Sequence, residues 1–100
     1  MRKRVLLTND DGYLAPGIRI LRAEVEKKWE TVVVAPDREQ SAASHALTLN
    51  RPLRVTEIDE GMLTVDGTPT DCVMLSIMGL LEQKPDLVIS GIQLYAFTGL

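Results

Sequence analysis

The chain has 100 residues and a net charge of −3, with 45% hydrophobic and 25% charged residues, the composition of one ordinary globular domain. No apolar run approaches the roughly 18 residues of a membrane span. The mild acidity argues against a stable DNA or RNA partner, because binding by counterion release needs a basic patch. Basic Met1–Arg4 is followed only by Val5-Leu6-Leu7, too short for a signal-peptide core. The single cysteine, Cys72, has no partner for an intrachain disulfide, which fits a reducing compartment. A chain of this size has room for about three to five strands and two or three helices.

Arg4 to Thr8 is a short apolar run that stops at Asn9-Asp10-Asp11-Gly12, which predicts a buried strand running into a turn. Ala15-Pro16-Gly17 then opens a segment with Ile18, Leu21, Val25 and Trp29 at spacings of three and four. That pattern predicts an amphipathic helix on a sheet, with proline in its first turn. Thr31 to Ala35 is β-branched and nearly unbroken, as expected of a strand covered on both faces. Strand, helix and strand at this spacing predict a right-handed βαβ unit with a parallel pair.

Arg38 to Ser44 reads as a polar loop. Ala46–Asn50, Leu53–Ile58 and Met62–Val65 read as short extended pieces forming a small antiparallel excursion. Gly67-Thr68-Pro69-Thr70-Asp71 opens a second helix, with Thr68 or Thr70 as N-cap. That helix is apolar over a wide arc through Leu81, so substantial burial is expected. Leu87-Val88-Ile89 is read as a third buried strand, ending at Ser90-Gly91. The predicted architecture is α/β, a Rossmann-like three-layer fold with a mostly parallel sheet.

In open α/β sheets ligands bind beyond the carboxyl ends of the strands. Those ends carry Asn9, Asp10, Asp11 and Gly12 on the first strand, Asp37 and Ser41 on the second, and Ser90, Gly91 and Gln93 on the third. Hard oxygen donors on one edge suit Mg²⁺ or Mn²⁺, and a dication relieves the repulsion of adjacent aspartates. The competing reading of Asn-Asp-Asp-Gly is a solvated turn. Ser41 is a candidate metal ligand, phosphate donor or nucleophile, against a loop serine bonding its own backbone. His45, the only histidine, is a candidate catalyst or simply an exposed side chain. Residues 67–71 offer either an anion site at a helix start or a capping turn. Cys72 reads as core. There is no P-loop, no Gly-x-Gly-x-x-Gly and no zinc-spaced Cys/His set.

Together these segments resemble the SurE-type survival proteins, a family of metal-dependent 5′-nucleotidases. The resemblance is carried by Thr8-Asn9-Asp10-Asp11-Gly12 with Ala15-Pro16-Gly17-Ile18, and by Val33-Val34-Ala35-Pro36-Asp37-Arg38-Glu39-Gln40-Ser41-Ala42. Leu47-Thr48-Leu49 with Pro52-Leu53, Gly67 to Val73, and Pro85 to Ile92 extend it in register from about residue 3 to residue 92. It implies that Asp10, Asp11 and Ser41 hold a divalent metal, with Gln93 at the place of a family asparagine, one methylene longer. It implies that Asn9 lies at the phosphate, and that Ser41, Ser90 and Gly91 contact the substrate, a nucleoside monophosphate hydrolysed to nucleoside and phosphate. A cytoplasmic homodimer or homotetramer is also implied.

Residues 93–100 depart from the family's pattern. Members are much longer than 100 residues, so the chain is expected to be the amino-terminal part of a longer SurE-like domain, with little activity on its own. The alternative is a non-catalytic metal- or nucleotide-binding module. A receiver-like phosphoacceptor domain ranks below both, because Asp86 precedes its strand and no suitable lysine follows. A haloacid-dehalogenase-type phosphatase also ranks lower, because Asp10-Asp11-Gly12 lacks the Asp-x-Asp spacing.

Overall fold

A computed structural model describes residues 3–40 and 46–91. Its sheet has five strands: β1 (Arg4–Thr8), β2 (Glu30–Pro36), β3 (Val55–Asp59), β4 (Met62–Val65) and β5 (Leu87–Ser90). Their order is β3-β4-β2-β1-β5. Helix α1 (Pro16–Val25) joins β1 to β2, and α2 (Pro69–Leu75) follows β4.

The parallel core follows from the βαβ pattern. β1 lies parallel to β2, with Val5 opposite Thr31 and Leu7 opposite Val33. It lies parallel to β5 on its other side, with Thr8 opposite Ser90. Alternation along the strands divides the core between two faces. Val5, Leu7, Val33 and Ala35 pack with Ile18 and Val25 of α1. Leu6, Val34 and Val65 pack with Cys72 of α2. Helix, sheet and helix are therefore three layers, as expected.

The antiparallel excursion is the pairing of β3 with β4, with a register shift between Glu57 and Asp59; on its other side Met62–Val65 runs parallel to β2. Four other expectations are corrected. Ala46–Asn50 forms no strand; its polar atoms are used on α2, as described below. Helix α1 ends before Trp29, which is 41% exposed, because the chain must turn at residues 26–29 for Glu30 N–H to meet Lys3 C=O at 3.0 Å. The second helix is neither continuous nor largely buried. After Leu75 it passes into a π-helical turn, Ser76–Leu80, that breaks at Gly79 (φ +127°). Met78 there is 74% exposed, and Leu87 on β5 is 54% exposed. α1 and α2 pack chiefly on β1, β2 and β4, and on β5 Ile89 packs against the core while Leu87 does not.

Candidate metal and phosphate site at the carboxyl edge of the sheet

The turn after β1 is built from its own side chains. Asn9 is buried. Its Nδ2 donates to Gly12 C=O at 2.8 Å, and its Oδ1 accepts from Gly12 N–H at 3.1 Å. The loop closes on Gly12 at φ +95°, where a Cβ would lie 3.0 Å from the carbonyl carbon of Arg38. Only glycine meets both demands without strain. Asn9 therefore uses both ends of its amide on the turn.

Above that support, Asp10 is half-buried and Asp11 exposed. Backbone bonds lace this loop to the end of β2. Tyr13 N–H donates to Pro36 C=O at 3.0 Å, and Gln40 N–H donates to Asp10 C=O at 2.7 Å. Asp37, also at the edge, pairs with Arg38 at 3.0 Å. That hydrogen bond and the charge beside it raise the Arg38 guanidinium further above its ordinary value.

On the far side, Ser90 is exposed beside Thr8. Gly91 N–H is bonded to Thr8 C=O at 3.0 Å. A cavity of about 240 Å³ opens here, lined by Thr8, Asp10 and Ser90 at the strand ends and by Pro69, Thr70, Val73 and Met74 of α2. Thr8 was not predicted as a site residue. Its buried Oγ1 finds no acceptor or donor better than the Cys72 thiol. Burial pushes that thiol up to about 12. Larger open clefts, of about 570 and 530 Å³, lie around Arg4, Arg22 and Glu30 and around Tyr13, Arg19 and Met62. Neither is lined by Asp10 or Asp11, and Arg4 and Arg22 there are engaged with Glu30 and Glu26.

The start of α2 resolves as a cap. Asp71 N–H donates to Thr68 Oγ1 at 3.1 Å, and Thr68 N–H donates to Asp71 Oδ2 at 2.8 Å, a reciprocal capping box. Thr68, not Thr70, is the N-cap. The Asp71 carboxylate is completely buried and also accepts from Thr48 N–H at 2.8 Å and Thr48 Oγ1 at 2.6 Å. Burial alone would raise its pKa, but the donors of Thr48 and Thr68 outweigh burial and hold it below the ordinary 3.8. A Cβ at Gly67 would collide with Asp71 Oδ2.

The structure thus brings Asp10 and Ser90 to one cavity, with Asp11 adjacent in the chain. Ser41, His45 and Gln93 lie outside the described residues. Two successive carboxylates at a strand end are hard donors that fit a dication. Among the described residues no group of three His, Cys, Asp or Glu side chains is placed to hold one.

The acidic doublet stands at the carboxyl edge of an α/β sheet, the place where proteins of this class bind their ligands. The comparisons make it specific. The family model for survival protein SurE matches residues 5–99, and the chain belongs to that family. It is 60% identical over 89 residues to the 5′-nucleotidase SurE of Nitrosococcus oceani, covering 89% of this chain and 36% of that protein. It is 56% identical over 89 residues to the 5′-nucleotidase SurE of Legionella pneumophila (strain Lens), covering 35% of it. The crystal structure of the SurE protein from Aquifex aeolicus superposes with a TM-score of 0.80 at 50% identity, over 89% of this chain and 37% of that one. The chain spans about a third of the length of the curated relatives it matches.

Proposed function

We propose that this chain carries the metal-binding edge of a phosphomonoesterase that hydrolyses nucleoside 5′-monophosphates. Residues 1–100 form the amino-terminal part of a larger SurE-type α/β domain, acting in the cytoplasm as a homodimer or homotetramer. The observation that carries the reading is the Asp10–Asp11 doublet, placed at the end of β1 by the Asn9–Gly12 turn beside a cavity lined by both polar and apolar side chains.

Asp10 and Asp11 bind a divalent cation, Mg²⁺ or Mn²⁺, with Ser41 and Gln93 completing the donor set. The bound cation supplies positive charge that neutralises the doublet and polarises a phosphoryl oxygen. The Ser90 and Ser41 hydroxyls donate to the phosphate, and Gly91 admits it by lacking a side chain. Pro69, Val73 and Met74 give the nucleoside an apolar surface. Asn9 acts at one remove, by fixing the backbone from which both aspartates project.

The test is Mn²⁺ binding by electron paramagnetic resonance, run beside phosphate release from AMP and GMP. Mn²⁺ binding is expected to fall about a hundredfold in Asp10→Asn, with the fold retained. Metal-dependent phosphate release supports the enzyme. Metal and nucleotide affinity without turnover supports the alternative, a binding module. No Mn²⁺ binding at all overturns the metal site.

A further inference from the structure

Thr8 is the last residue of β1 and lies level with Ser90 of β5. By strand alternation it shares a face with Leu6, the face packed on α2. It is 1% exposed, and its Oγ1 has no hydrogen-bond partner among the described residues. The Cys72 thiol stands beside it, and a thiol is a weak donor and a weak acceptor. Arg4 Nε and Arg22 Nε are also buried without a partner, but those guanidiniums bond through their other nitrogens to Glu30 and to Glu60 C=O. The Thr8 side chain has no second polar atom. A buried hydroxyl left unpaired lowers stability, and a water, an ion or a ligand is what ordinarily accounts for one. Thr8 also lines the cavity that holds Asp10 and Ser90. Being almost wholly covered, it meets a single atom there rather than a larger group.

We propose that Thr8 is a substrate-binding residue, its hydroxyl donating to one phosphoryl oxygen of the nucleoside monophosphate in this cavity. The inference rests on the reading of Asp10 and Asp11 as a metal doublet, because a phosphate approaches two carboxylates only where a cation offsets their charge. A phosphoryl oxygen fits the hydroxyl better than a sugar hydroxyl does, because a hydrogen bond to an ionised acceptor is roughly twice as strong as one between neutral groups.

Calorimetric titration of the 100-residue chain in Mn²⁺ with inorganic phosphate and with AMP, beside thermal melts of the ligand-free chain, tests it. Thr8→Val replaces the hydroxyl by a methyl of nearly the same size. It is expected to raise the Tm by a few degrees, because an unpaired buried polar atom is removed, and to weaken phosphate and AMP about tenfold alike. A hydroxyl that served only the fold would lower the Tm on removal, so opposite movement of the two readings marks a ligand contact. Thr8→Ser keeps the hydroxyl and is expected to bind phosphate as the unaltered chain does, with a lower Tm from the lost methyl. Mn²⁺ affinity is expected to stay unchanged in both variants. A lower Tm in Thr8→Val, or its failure to fold, shows that the fold uses the hydroxyl and overturns the inference. A higher Tm with unchanged phosphate affinity assigns the hydroxyl to a water and also overturns it. Weakened AMP with unchanged phosphate moves the contact to the nucleoside and overturns the phosphoryl assignment. Mn²⁺ binding without phosphate binding by the unaltered chain overturns the contact while leaving the metal site intact. Absence of Mn²⁺ binding overturns the metal site, and the inference with it.

Discussion

The loop after β1 and the loop before α2 both place an aspartate beside a glycine at a sheet edge, and they use it in opposite ways. After β1, the turn is satisfied by Asn9, so the Asp10 and Asp11 side chains are not what holds the backbone in shape. Before α2, the Asp71 carboxylate is turned inward and accepts three hydrogen bonds, two from Thr48 and one from Thr68 N–H, while its own N–H donates to Thr68 Oγ1. The turn after β1 is closed by an asparagine side chain, and the turn before α2 is closed by its own aspartate.

The sharpest way to break this contrast is chemical unfolding of paired variants. Asp71→Asn turns an amide donor toward buried donors and is expected to cost about 2 kcal/mol, while Asp10→Asn is expected to stay within about 0.5 kcal/mol of the unaltered chain. Equal losses would abolish the distinction. Gly12→Ala probes the support beneath the doublet. Its positive φ and its approach to Arg38 predict a loss of about 1–2 kcal/mol, read as a lower urea midpoint.

Acid titration sharpens the contrast further. The Asp71 pKa is lowered in the fold, so its contribution is complete above the ordinary 3.8 and is lost as pH falls through the folded value. Thermal melts should show the gap between the unaltered chain and Asp71→Asn narrowing below pH 3.8. Exposed Asp66, whose pKa is lowered chiefly by the backbone hydrogen bond from Arg54, is common to both proteins and cancels in that difference. The smallest effect concerns Cys72, on the far side of Asp71. With its thiol pushed up to about 12 by burial, it should react with a thiol reagent at about pH 8 only after unfolding.

Much of this was legible from the residues. The βαβ unit followed from apolar runs and helical spacing, and Thr68-Pro69-Thr70-Asp71 reads as a cap because a hydroxyl and a carboxylate stand three apart. The doublet's place at a strand end followed from the abrupt stop after Thr8. What the sequence concealed was long-range. Nothing in Thr48 announces a partner 23 residues away, and nothing in Met62–Val65 announces that it pairs in parallel with β2 as well as antiparallel with β3. Burial of Leu87-Val88-Ile89 was inferred from apolarity alone, but burial also requires a covering layer, and on β5 Leu87 is left 54% exposed while Ile89 packs against the core. The part of Asn9 in closing its turn was not legible, because a side chain that closes its own turn has the same sequence signature as one presented to a ligand.

The two backbone bonds between the first loop and the end of β2, Tyr13 to Pro36 and Gln40 to Asp10, involve no side chain at all. The pose of the acidic pair is thus written in peptide amides that every amino acid but one possesses. Mutational drift at positions 13 and 40 can therefore change size and charge and leave that lacing in place. Proline alone would cut the thread, by deleting the N–H.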